Sequence, residues 1–251
     1  MTPASLMAAL MVSRGYTANP DALEHKQGFL AAFDGLDHVR PERLLQDLGG
    51  LLEIEQPMFG LKQFACCGST HNAVMAMLEI RERHDISIED VSGIAITAHR
   101  RRLPHTHNPF PATPLQAKFS IQYATARALI SGPPRIEHFE GSSFKDSDAV
   151  ALLHKITTSA YPFVTDELIN EMAAEVLVTL NDGKSYTGQS HALGRGPANP
   201  MSHSELWDKF SDCARGVMQE DQARDAFQAL NEIARASRIS DVTEHLVRRS
   251  F

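Results

Sequence analysis

Hydrophobic period changes along this chain, and that change limits it to a mixed architecture. Apolar residues recur at helical spacing from Thr70 to His84, where Val74, Met77, Leu78 and Ile80 form one stripe. Ile88 to His99 instead alternates, most clearly at Ile94-Ala-Ile-Thr, as a half-buried strand does. Glu175 to Leu180 and Ser185 to His191 flank Asn181-Asp-Gly-Lys184, which predicts a β-hairpin with an Asp-Gly turn. A second strong helix is predicted over Leu115 to Ser131, stopped by Gly132-Pro-Pro134. A further helix, capped by Asp146 or Ser147, is expected to run through Ile156.

Both ends read as helical. Ser5 to Arg14 carries Leu6, Ala9, Leu10 and Val12 and stops at Gly15, which predicts a packed helix. Short helical turns follow over Ala22 to Glu24, Gly28 to Phe33 and Pro41 to Leu48. Ser204 to Met218, Ala223 to Ala234 and Val242 to Val247 read as helices, after a loop at Gly194 to Pro200. The economical arrangement is α+β: an all-helical domain with an inserted α+β lid domain. Its segments are residues 1–55 in the helical domain, 56–192 in the lid, and 193–251 returning to the helical domain.

The 251 residues carry a net charge of -7. That balance argues against non-specific nucleic-acid binding, and a local cationic pocket for an organic acid stays possible. The three cysteines, Cys66, Cys67 and Cys213, are too few for a disulfide framework and fit a reducing cytoplasm. No apolar run is as long as a membrane span, and the N-terminus lacks the pattern of a signal peptide. Glycine spacing gives no phosphate loop, and there is no G-x-S-x-G elbow, so nucleotide chemistry and serine hydrolysis are poorly supported.

Chemistry concentrates in two stretches. Lys62-Gln-Phe-Ala-Cys-Cys-Gly-Ser-Thr-His71 puts a cation, two thiols and an imidazole at the mouth of a helix, with Ser69 or Thr70 available as its cap. Lys62 could anchor a carboxylate, and His71 could move a proton near neutral pH. The plain alternative is an exposed lysine beside a cap histidine. Gln116-Ala-Lys-Phe-Ser-Ile-Gln-Tyr123 opens the other helix and ends in a phenol. Tyr123 is either a proton or hydrogen-bond donor or a core aromatic with its hydroxyl satisfied. Lys118 and Gln122 read as a solvated i, i+4 pair, and Arg100-Arg-Arg102 as a solvated strand end. Cys66, Cys67 and His71, even with His105 and His107, lack the second Cys pair of a structural zinc site, so no metal is expected. Cys67 is a possible nucleophile, and a packing thiol is the plainer role.

Together these segments resemble the MmgE/PrpD family, which includes 2-methylcitrate dehydratase and cis-aconitate decarboxylase. Lys62-x4-Cys67-x3-His71 is similar to its K-x-Y-P-x-C-x-x-x-H segment, and Gln116 to Ala124 to its Q-A-K-F-S-x-x-Y-A helix. Gly15-Tyr-Thr-Ala-Asn-Pro with Gln27-Gly-Phe29, and Gly196-Pro-Ala-Asn-Pro-Met201, match two further stretches. Phe64 and Ala65 stand where the motif has tyrosine and proline.

The resemblance implies a helical domain plus lid with the active site between them, no obligatory cofactor, and a small di- or tricarboxylate substrate. By position it makes His71 and Tyr123 catalytic candidates and places Lys62 in the same pocket. It implies a homodimer, and, because Met1 corresponds to a point inside the family's first domain, a truncated product or one part of a split enzyme that pairs with a separate N-terminal half. The missing region would supply further histidine and acidic groups. The expected activity is therefore that of a lyase, dehydratase or decarboxylase. A non-catalytic carboxylate- or partner-binding remnant and an amino-dicarboxylate epimerase are the alternatives.

Overall fold

The computed structural model describes residues 3–33, 60–161, 173–191 and 199–247, with positions 35, 38, 40, 43, 46, 49, 50, 52, 195 and 196. The chain divides into two compact units, Met1–Glu53 and Ile54–Phe251. The helical turn predicted over Pro41 to Leu48 lies outside the described residues, apart from single positions.

In the first unit, α1 spans Pro3–Ser13 and α2 spans Phe29–Phe33. Gly15 ends α1 at a φ of 84°, a left-handed conformation that glycine adopts without a Cβ penalty. The predicted helix over Ala22 to Glu24 is instead a hydrogen-bonded turn in which the Asn19 side chain accepts from the Asp21 amide at 3.0 Å. The expectation of a packed α1 is also corrected: Leu6, Met7, Leu10 and Val12 are all more than half exposed.

The second unit is α+β. In chain order it contains α3 (His71–Arg83), β1 (Val91–Ala98), α4 (Leu103–Thr106), α5 (Pro114–Lys118) and α6 (Ile121–Ser131). Then come α7 (Ser147–Leu153), β2 (Ile156–Ala160), β3 (Ala174–Leu180), β4 (Ser185–Ser190), α8 (His203–Ala214), α9 (Glu220–Asn231) and α10 (Ile239–Thr243). The segment from α8 to α10 belongs to the same compact unit as the sheet.

The four strands run in the order β2-β1-β3-β4. β1 pairs in parallel with β2, Ile94 opposite Ile156, and antiparallel with β3, Ile94 opposite Val178. The helix expected through Ile156 is corrected here, because α7 stops at Leu153 and Ile156 opens β2. Its β-branched Ile156, Thr157 and Thr158 lose rotamer freedom in a helix and fit a pleated surface. The β3–β4 hairpin forms as predicted, although its turn takes three residues. Leu180 bonds both Gly183 and Lys184, and Gly183 has a φ of 86°.

α3 and α6 pack on each other, and α3 also packs on β3 and β4. Val74, Met77, Ile80, Ile94, Ile96 and Val176 are buried between them. Between β1 and α5 the chain forms the single turn α4.

The long helix predicted over Leu115 to Ser131 is broken into α5 and α6 at Phe119-Ser120. Ser120 is the cause: its hydroxyl accepts from the Tyr123 amide at 3.0 Å and donates to the Asn108 carbonyl at 2.6 Å. Ser120→Ala is expected to destabilise the protein by about 1 kcal/mol, measured by urea unfolding. An unchanged midpoint would mean that the break does not depend on this cap.

Candidate active site

The break between α5 and α6 leaves the Lys118 carbonyl without a helical donor, and the Cys67 amide supplies one at 2.8 Å. That bond fastens the loop carrying Lys62 to the end of α5. Farther along the loop, the Thr70 hydroxyl donates to the Cys67 carbonyl at 2.8 Å and lies 3.2 Å from the Cys66 sulfur. The expected side-chain cap on α3 is therefore absent: Thr70 stands at the N-cap position and its hydroxyl points back into the loop. A 3-10 turn, Gly68–Thr70, leads into the helix instead.

A cavity of about 570 Å³ opens against this loop. Its walls come from Lys62 to Cys67, from Lys118 and Phe119, from 133–136, and from one side of α8. Four cations line it: Lys62, Lys118, Arg135 and Lys209. Among the described residues none of the four is in an ion pair.

Three carboxylates share the lining, and two of them have polar partners, although the buried Oδ1 of Asp212 accepts no hydrogen bond. Glu205 pairs with Arg195 and accepts from the Ser202 amide at 2.8 Å, closing the capping box of α8. Asp212 accepts from the Ile136 amide at 3.0 Å and lies 3.7 Å from Arg215. Asp208 is exposed. The cavity is thus a net cationic pocket in an acidic protein, sized for a small organic anion.

His71 is the first residue of α3 and stands one layer behind this wall. Its ring meets Phe64, which lines the cavity, edge-on at 5.1 Å. Burial pushes its pKa down from 6.5 to about 4, backbone hydrogen bonds with Cys66 and Phe64 oppose the fall, and the charges of Lys62 and Lys209 add to it. The imidazole is therefore neutral at pH 7. Its Nε2 is buried and has no hydrogen-bond partner. A neutral imidazole with one free nitrogen, near two cations, can take or hand on a proton.

Tyr123 lies elsewhere. It is fully buried in α6, and its hydroxyl is 2.6 Å from the His138 carbonyl and 3.0 Å from that of Ser143. The Arg127 Nε donates to it at 3.0 Å. Burial raises the phenol's pKa, against the pull of Arg127. The structure thus brings Lys62 and His71 to one side of the cavity and places Tyr123 in the core, with a satisfied hydroxyl.

Two side chains change role between sequence and structure. Lys118, read as half of a solvated pair, lines the cavity, whereas Gln122 is buried and accepts from the Asn108 amide at 3.2 Å. Lys209 carried no sequence signal, since one lysine on an amphipathic helix looks like any other. Cys66 is a packing thiol: burial pushes its pKa up to about 12, which keeps it protonated. His105 and His107 bind polar neighbours, Ser69 at 3.0 Å and both Gln122 and Thr158 at 2.8 Å. Among the described residues no group of three or more His, Cys, Asp or Glu could hold a metal ion. Nor is any helix among them long and apolar enough to cross a membrane.

A family model, the MmgE/PrpD C-terminal domain, matches residues 64–233. Cis-aconitate decarboxylase from Homo sapiens is 24% identical over 222 residues, covering 85% of this chain and 44% of that protein. Cis-aconitate decarboxylase from Aspergillus terreus is 24% identical over 261 residues, covering 96% of this chain and 52% of that protein. The chain spans about half the length of these curated relatives. The matched domain holds the Lys118 end of α5, His71 and all four strands, and with more than half of its residues in that match the chain belongs to the MmgE/PrpD family.

Proposed function

We propose that this chain contributes the carboxylate-binding side of a lyase site. Its substrate would be a small di- or tricarboxylate, and its reaction of the cis-aconitate decarboxylase or 2-methylcitrate dehydratase type. The observation that carries this reading is the cationic cavity with the neutral imidazole of His71 directly behind it.

Both reactions place negative charge on a carbon beside a carboxylate. In dehydration a base removes that carbon's proton and an acid protonates the departing hydroxyl. In decarboxylation carbon dioxide leaves and the carbon takes up a proton. Lys62 anchors the carboxylate and stabilises the charge as it spreads into it. His71 serves as the proton-transfer group, its ring against Phe64 at the cavity wall. Tyr123 contributes by position, holding Arg127 and the two carbonyls behind α6.

Purified protein, alone and mixed with a polypeptide equivalent to the relatives' other half, should consume cis-aconitate or 2-methylcitrate. Lys62→Met is expected to raise KM about tenfold or more, as loss of a charged contact does. Turnover with an unaltered KM would remove Lys62 from the site, and the absence of turnover in both preparations would overturn the reading.

A second reading, binding of a partner protein, is favoured by α1. Its Leu6, Met7, Leu10 and Val12 are exposed, and a helix with so apolar a surface is ordinarily covered. A stable complex without turnover would favour it.

A further inference from the structure

The cavity has more cations than one carboxylate requires, and they come from distant parts of the chain. Lys62 lies in the loop before α3, Lys118 at the last position of α5, and Lys209 in the middle of α8. Lys118 and Lys209 are half-buried at the cavity wall. A surface lysine is normally solvated or paired with an acid, and these have no acidic partner among the described residues. The lining carboxylates closest in sequence to Lys209 form no ion pair with it: Asp212 accepts from the Ile136 amide and lies 3.7 Å from Arg215, and Asp208 is exposed. Lys62 and Lys209 both help to hold the His71 pKa down, so one imidazole feels both charges.

We propose that Lys118 and Lys209 join Lys62 in a three-cation cradle that selects polycarboxylates by charge and binds monocarboxylates weakly. The proposal rests on the reading of this cavity as a carboxylate site and adds its selectivity. Each ammonium meets one carboxylate of the ligand as a point charge, without the fixed planar geometry of a guanidinium. Affinity therefore rises with the number of carboxylates, and removing one cation reduces that rise.

The test is calorimetric titration of the full chain with tricarballylate, glutarate and butyrate at fixed ionic strength. Wild-type protein is expected to rank the tricarboxylate first and the monocarboxylate last. Lys118→Met and Lys209→Met should each weaken tricarballylate binding about tenfold, leave butyrate unchanged, and regain most of the loss as the Arg variants. Lys184→Met serves as the control for net charge, because Lys184 is paired with Asp182 at the hairpin. Retained tricarballylate affinity in both Met variants, or an equal loss in Lys184→Met, overturns the cradle while the carboxylate site stands. Wild-type protein that binds none of the three acids at about 10 mM overturns the cradle and the site together.

Discussion

His71→Asn is expected to lower turnover about 100- to 10,000-fold while leaving the fold intact, the range for loss of a positioned acid or base. The same variant has a second readout that does not need activity. His71 has a folded pKa of about 4 against an ordinary value of 6.5, because the buried ring resists taking up charge. The unfolded chain therefore binds this proton more readily than the folded one. The group's contribution to stability is complete above pH 6.5 and is lost as pH falls toward 4. Between pH 7 and pH 4.5 this one group should cost wild-type protein roughly 2–3 kcal/mol. Carboxylates titrate in the same window, so the informative quantity is the difference between wild-type and His71→Asn in urea unfolding at the two pH values. If that difference is the same at both, the imidazole is not held neutral by burial. If turnover survives the substitution, His71 is a structural residue.

Gly188→Ala is expected to destabilise the protein by about 1–3 kcal/mol or more. An added Cβ would overlap the Ala76 carbonyl oxygen and lie 3.0 Å from the Ile80 side chain. The oxygen is a backbone atom of α3, and no rotamer change can move it aside. Either α3 lifts from β4 or β4 leaves its register with β3, where Gly188 stands opposite Val176. Both responses open the core that Val74, Met77 and Val178 fill. Thermal unfolding should show the loss directly. Stability within 0.5 kcal/mol of wild-type would mean that the α3–β4 contact is loose. Since α3 begins at His71, lifting it should also move the imidazole relative to Lys62.

Much of the second unit was legible because its signals are local. The stripe Val74, Met77, Leu78, Ile80 identifies α3, Asp146 caps α7 as expected, and the Asp-Gly turn marks the β3–β4 hairpin. Each depends on residues within a turn or two of one another. The failures came where a distant partner decided the outcome. Ile156 to Ala160 has too few apolar residues to stand out as a strand, and it becomes one by pairing in parallel with β1. Ser120 breaks a continuous helical pattern because the Asn108 carbonyl is within reach of its hydroxyl. Thr70 was a plausible cap until the loop folded back to give it Cys66 and Cys67.

The same division separates the site residues. Lys62 and His71 were visible as a motif, since the loop and the first turn of α3 carry both. Tyr123 shares that motif-level signal, and only packing revealed that its hydroxyl is satisfied by His138, Ser143 and Arg127.

By itself the sequence determined the α+β class, the strong helices, the hairpin and the family, because periodicity, caps and spaced motifs act over short stretches of chain. The tertiary structure alone decided that Lys118 and Lys209 face the same cavity as Lys62, and that His71 is neutral. Convergence of charges and burial of a ring depend on which segments meet in space, and no local pattern records that.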